Sequence, residues 1–380
     1  MADLPKYSTR PDDDRTTIVM RPSGLTTTAV EPIHYLVVAE GPEHGRIVEL
    51  GPAPLTIGRA APSDVVLRDL ELSRVHCKVQ LERDAVIVVD LGSTNGTFVD
   101  GNRVSGPSAL ARGSFLRVGR HALKYDRGTP GELKENRDFD RSLEGAARYI
   151  RSLLPAPLPT GPVRTEWLLL PSKRLGGDAF GYHPIGENGF ALYLFDVCGH
   201  GIDAAMLAVA VMNALRPHAL AQCDFAQPAE MLRRLNGMFQ MDAHGSMYFT
   251  MWYGFFDAGQ RILHYASAGH HPAYLVPADR GESIPLWTRN LAVGITPDYA
   301  FRSESMEVPP SSTLYLFSDG VYEIDTADGR RWDLDDFIPL LAHPRVAGLT
   351  EPQRLYQAVQ QVARRGPLED DFTLLAVDFA

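Results

Sequence analysis

The pattern of hydrophobic and polar positions divides the chain into four segments. Residues 1–32 are polar and interrupted by prolines, and they contain too few large apolar side chains to form a core, which predicts a flexible tail. Residues 33–126 contain short apolar runs, such as 35–38 and 86–89, separated by turn residues. This spacing predicts an all-β sandwich in which Asp100-Gly101 forms a hairpin turn.

Residues 127–162 connect this segment to the rest of the chain. Apolar side chains recur at three- and four-residue steps from Phe139 to Leu154, which predicts an amphipathic helix. The prolines that follow predict an extended connector. The apolar stripe packs either on a neighbouring domain, which periodicity alone favours, or against a second copy of the chain, in a homodimer through residues 139–154.

Residues 163–380 mix strand-like and helical patterns. Apolar runs predict strands at 190–197, 251–256, 313–317 and 372–379, and helical periodicity predicts helices at 204–215, 228–239 and 352–364. Because strands and helices do not alternate regularly, we predict an α+β domain with antiparallel sheets. The chain is therefore expected to be multidomain.

Composition narrows the class of protein. A formal net charge of -10 argues against binding to nucleic acid or to an anionic membrane, because both favour a basic protein face. No apolar run reaches the length of a membrane span or a signal core. Three widely spaced cysteines, Cys77, Cys198 and Cys223, indicate free thiols in a reducing compartment. We therefore expect a cytoplasmic protein with no nucleic-acid or membrane partner.

Polar residues cluster at three turns of the predicted β domain. They are Gly58-Arg59, the run Ser73-Arg74-Val75-His76 and residues 93–97. Loops from one end of a sandwich converge, so these groups would offer the charge-assisted donors that a phosphate requires. Taken singly, each residue is equally compatible with an ordinary turn or a surface charge.

In this order, the three clusters resemble the forkhead-associated (FHA) domain, over residues 33–125. The resemblance implies a β sandwich that binds phosphothreonine proteins. The positions that it places at the phosphate are Arg59, Ser73, Arg74 and Thr94. It places Asn95 on the backbone of the bound peptide, and His76 between the loops.

His76-Cys77 followed by Arg83 also matches the short signature of cysteine-dependent tyrosine phosphatases. That chemistry needs a glycine-rich loop whose amides hold the phosphate. The intervening residues contain no glycine, include Glu82 and alternate like a strand. We therefore predict that Cys77 is not a nucleophile.

Four aspartates of the second domain adjoin apolar runs or glycines: Asp178, Asp196, Asp319 and Asp370. Each alone is compatible with helix capping or pairing with arginine, because a carboxylate at the end of a buried strand needs a partner. Four together indicate hard divalent cations, since oxygen-only ligand sets favour Mg²⁺ or Mn²⁺ over zinc. His270 and His271 lack a third ligand at zinc spacing, so we expect a structural role for them.

The aspartates lie in motifs that resemble those of SpoIIE-type phosphatases of the PPM family. The motifs are Gly-Gly-Asp at 176–178, Asp-Val-Cys-Gly-His-Gly at 196–201, Ala-Gly-His-His-Pro at 268–272, Ser-Asp-Gly at 318–320 and Asp-Asp-Phe-Thr at 370–373. The resemblance covers residues 163–380 and implies an α-β-β-α sandwich with metal-dependent serine/threonine phosphatase activity. It places the four aspartates, and the backbone carbonyl of Val197, at metal-ligand positions. Ala179-Phe180-Gly181 departs from the aromatic-aspartate continuation common in the family.

The resulting hypothesis is hydrolysis of phosphoserine or phosphothreonine by two Mn²⁺ or Mg²⁺ ions that activate a water for direct attack on phosphorus. Asp196 would bridge the ions, Asp319 would complete a shell, and His200 or a metal-bound water would protonate the leaving alkoxide. The family resemblance suggests a phosphoprotein of bacterial regulation as substrate, such as an anti-sigma-factor antagonist. It also implies that the helix before the catalytic domain can pair subunits.

Two further hypotheses concern the first domain. If the phosphatase fold is catalytically weak, the protein is an adaptor that binds phosphothreonine proteins. Thr16 and Thr17 follow three aspartates in the tail, and phosphorylation of either would let the tail occupy the site at Arg59 and Ser73. The alternative is a solvated tail whose threonines are incidental.

Overall fold

The computed structural model describes residues 32–41, 43, 45–83, 85–199, 201–216, 223–243, 245–326, 328–364 and 368–380. The chain separates into two compact units, residues 1–136 and 137–380. Thr16, Thr17 and His200, for which we predicted roles, lie outside the described residues.

The first unit is built from two β-sheets. In chain order its strands are β1 (Ile33–Glu40), β2 (Ile47–Leu50), β3 (Leu55–Gly58), β4 (Val65–Val66), β5 (Cys77–Glu82), β6 (Ala85–Asp90), β7 (Thr97–Val99), β8 (Asn102–Arg103), β9 (Ser108–Leu110), β10 (Phe115–Val118) and β11 (His121–Gly128). One sheet has the order β2-β1-β11-β10-β7-β8 and the other β4-β3-β5-β6-β9. The predicted all-β architecture is confirmed.

Alternating apolar side chains of both sheets form the core of this unit. Leu36 and Leu123 from the first sheet belong to the same buried cluster as Val79 and Val88 from the second. Each strand therefore buries every second side chain against the facing sheet.

The predicted turn at Asp100-Gly101 connects β7 to β8. Both residues have positive φ, 47° and 80°, as the two central residues of a type I′ hairpin turn require.

Helix α1 (Pro130–Leu153) follows β11 directly and begins nine residues before the predicted stripe. Its start is fixed by a capping box: the amide of Glu132 donates to Thr129 Oγ1 at 3.3 Å, and the amide of Thr129 donates to Glu132 Oε2 at 2.7 Å. Proline at the first helical position suits this start, because its missing N–H is not needed there. The polar residues before Phe139 give no apolar period, so periodicity alone missed these turns.

The described residues of the second unit form ten strands and four further α-helices. In chain order they are β12 (Val163–Leu170), β13 (Ala179–Ile185), β14 (Gly189–Val197), α2 (Ile202–Ala214), α3 (Pro228–Met238), β15 (Phe249–Asp257), β16 (Ile262–Ala268), β17 (Ala273–Val276), β18 (Ile284–Leu286), β19 (Glu304–Glu307), β20 (Ser312–Phe317), α4 (Leu334–Leu341), α5 (Glu351–Val362) and β21 (Phe372–Phe379). They form two sheets, β12-β21-β20-β17-β18 and β13-β14-β15-β16-β19. All strand pairs described within these two sheets are antiparallel, as predicted.

Three apolar layers hold this unit together. Side chains of both sheets, such as Leu194 and Leu316, meet in a central layer. Helices α2 and α3 cover the outer face of the β13–β19 sheet, and α4 and α5 cover that of the β12–β18 sheet. The predicted α-β-β-α sandwich is confirmed. Among the described residues, no helix combines the length and the apolar character needed to cross a bilayer.

The apolar side chains of α1 are only partly covered. Ile150 and Leu153 pack against the helical layer of the second unit, whereas Phe139 and Tyr149 are 56% and 57% exposed. Part of the stripe therefore packs on the sandwich, and part is left on the surface.

Candidate functional sites

The loops that carry Arg59, Ser73 and Thr94 meet in the first unit. The amide of Arg59 donates to the carbonyl of Ser73 at 2.9 Å, and the amide of Thr94 donates to Ser73 Oγ at 3.1 Å. Gly58 permits this approach, because a Cβ there would lie 2.1 Å from the carbonyl oxygen of Arg74. The convergence expected from the sandwich is thus present.

His76 holds two of these loops in place. Its ring is buried, with Nδ1 accepting from the amide of Ser73 at 3.1 Å and Nε2 lying 3.1 Å from the carbonyl of Gly96. These contacts require a proton on Nε2 and none on Nδ1. A neutral histidine therefore connects the loop of Ser73 to the loop of Thr94 and Asn95.

The cluster presents positive charge to solvent. The side chains of Arg59, Arg74, Thr94 and Asn95 are exposed. Asn95 Nδ2 donates to the carbonyl of Glu71 at 2.7 Å, which orients its amide. Within the described residues neither Arg59 nor Arg74 pairs with a carboxylate, so both guanidinium groups are available to an anion.

Cys77 lies next to this cluster but is chemically inert. It is fully buried on β5, and burial, with a smaller contribution from the charge of Asp90, raises the pKa of its thiol to about 12. A thiol with this pKa is protonated near neutrality and cannot attack phosphorus. The prediction that Cys77 is not a nucleophile agrees with this environment.

In the second unit, each sheet contributes two of the four aspartates. Asp178 precedes β13 and Asp196 lies near the end of β14, and these strands pair with Ala179 opposite Phe195. The antiparallel register therefore brings Asp178 and Asp196 to the same end of their sheet.

Asp319 and Asp370 are related in the same way. Asp319 follows β20 and Asp370 precedes β21, and these strands pair with Phe317 opposite Leu374. Asp370 is exposed, and its Oδ1 accepts from the amide of Asp371 at 2.8 Å.

Gly177 brings the Gly-Gly-Asp loop against the end of β14. A Cβ at Gly177 would lie 2.8 Å from the carbonyl oxygen of Val197, and the amide of Val197 approaches the carbonyl of Gly177 at 3.4 Å. The second glycine of the motif is therefore required by close backbone contact. The carbonyl of Val197 lies beside this loop.

The aspartates of the two sheets also act on one another electrostatically. Burial, followed by the charges of Asp319 and Asp370, raises the pKa of Asp196 to about 8. Burial, followed by the charges of Asp196 and Asp371, holds the pKa of Asp178 well above its ordinary value. Asp178 Oδ2 is buried without a hydrogen-bond partner. The cluster is therefore unstable in its fully charged form unless protons or cations neutralise it.

A cavity of about 370 Å³ opens beside these carboxylates. Its lining includes Asp196, Asp319, His270, His271 and Trp287. Burial lowers the pKa of His271 to about 4 and that of His270 well below its ordinary value. Both rings are thus neutral, and His271 Nε2 is buried without a hydrogen-bond partner. We predicted a structural role for these histidines and did not predict that they line the cavity.

Sequence reasoning also missed Asp371, the second aspartate of the Asp-Asp pair. Its side chain is buried and accepts hydrogen bonds from Ser172. Two successive aspartates at the start of a strand could have indicated it. Because successive strand residues point in opposite directions, only one of the two can face the cluster, and the other needs a different partner.

The family model of stage II sporulation protein E (SpoIIE) matches residues 186–380, just over half of the chain. The chain belongs to the SpoIIE family. An FHA domain model matches residues 55–119. Asp196, Asp319 and Asp370 lie within the SpoIIE match, whereas Asp178 precedes it, and all the predicted phosphate-contacting residues lie within the FHA match.

This SpoIIE-family chain is similar to two kinds of characterised protein. It is 28% identical over 245 residues to the phosphoserine phosphatase RsbP of Bacillus subtilis, which covers 63% of this chain and 58% of RsbP. Over 90 residues it is 38% identical to the FHA domain-containing protein FhaB of Mycobacterium tuberculosis, covering 24% of this chain and 58% of FhaB. The chain thus spans less than two thirds of either relative.

The fold of the SpoIIE-family unit also matches a solved structure. The SiaA-PP2C domain of Pseudomonas aeruginosa aligns with a TM-score of 0.55 at 20% identity, over 65% of this chain and 99% of that domain. At this identity the likeness establishes the shared fold.

The raised pKa of Asp196 predicts a pH-dependent stability in chelator. A carboxyl group whose folded-state pKa lies above its unfolded value of about 4 stabilises the fold fully below that value. This contribution is lost as the pH rises through about 8. We expect the melting temperature of the metal-free protein to fall over this interval, and Asp196→Asn to reduce the fall.

Differential scanning fluorimetry in excess chelator measures this effect. Asp335→Asn is the matched control, because Asp335 is an exposed residue in the first turn of α4. Identical pH profiles for Asp196→Asn and the native protein would contradict the prediction.

Proposed function

We propose that the second unit hydrolyses phosphoserine or phosphothreonine in protein substrates with the help of divalent cations, and that the first unit binds phosphothreonine proteins. The observation that supports the hydrolase most directly is the carboxylate cluster. Each of the two sheets contributes a pair of aspartates, and one member of each pair, Asp196 or Asp319, lines the same cavity. The buried Asp178 Oδ2 lacks a hydrogen-bond partner.

The residues present fit divalent cations by their chemistry. The ligands would be the carboxylates of Asp178, Asp196, Asp319 and Asp370 with the carbonyl of Val197, and an all-oxygen set favours Mn²⁺ or Mg²⁺. As they stand, the described residues contain no group of three or more His, Cys, Asp or Glu side chains gathered closely enough to hold an ion. Waters would complete the coordination of such ions, since Mg²⁺ usually binds proteins through one or two carboxylates and keeps several waters. When bound, two such ions would polarise the phosphoryl group and activate a water.

The neutral histidines shape the cavity rather than transfer protons. With a pKa of about 4, His271 carries no charge at pH 7 and is a poor general acid there. Trp287 Nε1 donates to the carbonyl of His270 at 3.0 Å, which fixes the indole in the cavity wall. We infer that these rings orient the phosphoryl group, and that His200 remains the candidate donor to the leaving alkoxide.

Hydrolysis should require added Mn²⁺ or Mg²⁺. In the full-length protein, Asp319→Ala or Asp196→Ala should lower kcat on a phosphothreonine or phosphoserine peptide by orders of magnitude, because a ligand position is lost. Release of inorganic phosphate measures the rate, and Asp335→Ala serves as the control. Full activity in excess chelator, or in either variant, would exclude this mechanism.

The first unit should bind phosphothreonine peptides through its exposed cations. Removing one guanidinium that contacts a phosphate costs about 2 kcal/mol, so Arg59→Ala should weaken binding about 30-fold. Titration calorimetry with phosphorylated and unphosphorylated forms of one peptide measures this. Lys124→Ala, an exposed charge on β11, is the control.

Equal affinity for the two forms of the peptide would contradict recognition of the phosphate. Phosphate-dependent binding without hydrolysis by the full-length protein would instead support the adaptor hypothesis.

We further propose that the substrate is a regulatory phosphoprotein, such as an anti-sigma-factor antagonist. RsbP is a phosphoserine phosphatase, which favours phosphoserine as the residue that is hydrolysed. Cys77, Cys198 and Cys223 are free thiols, which suits a reducing compartment, so we place the reaction in the cytoplasm.

The exposed part of the α1 stripe supports a homodimer as a further proposal. Phe139 and Tyr149 lie ten residues apart, about 80° around the helix, and both are more than half exposed. Two copies pairing through residues 139–154 would bury them. The double variant Phe139→Ser, Tyr149→Ser should then shift the protein from dimer to monomer in light scattering. Met206→Ser on α2, exposed but outside the stripe, is the control, and a monomeric native protein would overturn the proposal.

A further inference from the structure

Asp371 lies where the segments that carry three of the four aspartates meet. We propose that Asp371 is a positioning residue, which holds the loop of Asp178 and the turn of Asp319 in the arrangement that binds divalent cations. This inference rests on the proposed metal-dependent function and assigns a role to a residue outside the ligand set.

The first connection runs from the Asp371 carboxylate to the loop before Asp178. Asp371 Oδ1 accepts from the amide of Ser172 at 2.7 Å and from Ser172 Oγ at 3.0 Å. On the other side of the carboxylate, a Cβ at Gly176 would lie 1.9 Å from Asp371 Oδ2. The segment before Asp178 is therefore hydrogen-bonded at Ser172 to one carboxylate oxygen and packed at Gly176 against the other.

The second connection runs from the Asp371 backbone to the turn that carries Asp319. Ser318 Oγ donates to the carbonyl of Asp371 at 2.9 Å and accepts from the amide of Thr373 at 3.1 Å. A Cβ at Gly320 would lie 2.3 Å from the same carbonyl oxygen of Asp371. Both neighbours of Asp319 in the chain thus contact the backbone of Asp371.

A space-filling role does not account for a carboxylate at this position. Asp371 is only 6% exposed, and a buried charge close to Asp178 costs free energy that an apolar side chain would avoid. The amide and the hydroxyl of Ser172 both donate to Asp371 Oδ1, and an apolar side chain at position 371 would remove the acceptor of both.

Asp370 and Asp371 differ in exposure and in the groups that they contact. Asp370 is exposed, and its charge acts on Asp196 and Asp319. Asp371 points to the buried side, towards Ser172 and Gly176. Asp370 therefore suits a ligand, and Asp371 suits a support for the ligand loops.

The test compares Asp371→Ala with Asp371→Asn in the full-length protein. Calorimetry measures Mn²⁺ binding, scanning fluorimetry measures the melting temperature in chelator, and phosphopeptide hydrolysis gives kcat and KM. Asp371→Ala should weaken Mn²⁺ binding by about 10- to 100-fold, the usual effect of losing a support for metal ligands, and should lower kcat more than it changes KM. Asparagine retains an oxygen that accepts from Ser172, so Asp371→Asn should recover most of the Mn²⁺ affinity.

Asp370→Asn is the matched control, because a ligand that loses its charge should not be rescued by asparagine. If Asp371→Asn is as defective as Asp371→Ala, Asp371 acts through its charge as a ligand, and the proposal is wrong. If Asp371→Ala lowers only the melting temperature and leaves Mn²⁺ affinity and kcat intact, the residue is merely structural, which also overturns it.

Ser172→Ala provides a milder variant in case Asp371→Ala does not fold. It removes one of the two donors and should weaken Mn²⁺ binding in the same direction by a smaller factor. A native protein that binds Mn²⁺ but hydrolyses no phosphopeptide would contradict the proposed function, while the Mn²⁺ comparison would still decide the role of Asp371.

Discussion

Repulsion between neighbouring carboxylates is the constraint around which the second unit is arranged. Asp178 and Asp196 come from one sheet, and Asp319 and Asp370 from the other, so antiparallel pairing alone would leave them as two separate pairs. The apolar layer between the sheets brings the pairs close enough for the charges of Asp319 and Asp370 to raise the pKa of Asp196 to about 8. Packing of the sandwich therefore brings together negative charges that repel one another, and the divalent cations that we propose would neutralise them.

Close backbone contacts keep these carboxylates in place. Gly176, Gly177 and Gly320 each lack the Cβ that would strike Asp371 or Val197. The motif glycines are therefore explained by the space that their neighbours occupy, and they let three chain segments meet beside the cavity. Backbone contacts therefore hold the like-charged aspartates near one another. Among the described residues, none of the four forms an ion pair with arginine.

In our proposal, the two units bind the same chemical group, a phosphate, through charges of opposite sign. The first unit exposes Arg59 and Arg74 on loops connected by a neutral buried His76, so its positive charge can meet a phosphate directly. The second unit offers negative charge, which can approach a phosphate only with cations between them. Burial also explains why the His76-Cys77 pair does not act like the signature of a cysteine-dependent phosphatase. The Cys77 thiol is buried inside the sandwich, which raises its pKa and keeps it protonated.

Elements with a clear apolar period or a distinctive motif could be predicted without the structure. Alternation of apolar residues located the β sandwich, the positive-φ residues Asp100 and Gly101 marked its hairpin, and four aspartates beside apolar runs marked the carboxylate cluster. These features are local, because side-chain period and turn chemistry act over a few residues. The first turns of α1 lacked an apolar period, and only their capping box shows where the helix begins. The contacts of Asp371, His270 and His271 became visible only in the tertiary structure. Asp371 meets Ser172 across 199 residues of chain, and the histidines line a cavity with Asp196 and Asp319, because contacts of this kind exist only once both sheets have packed together.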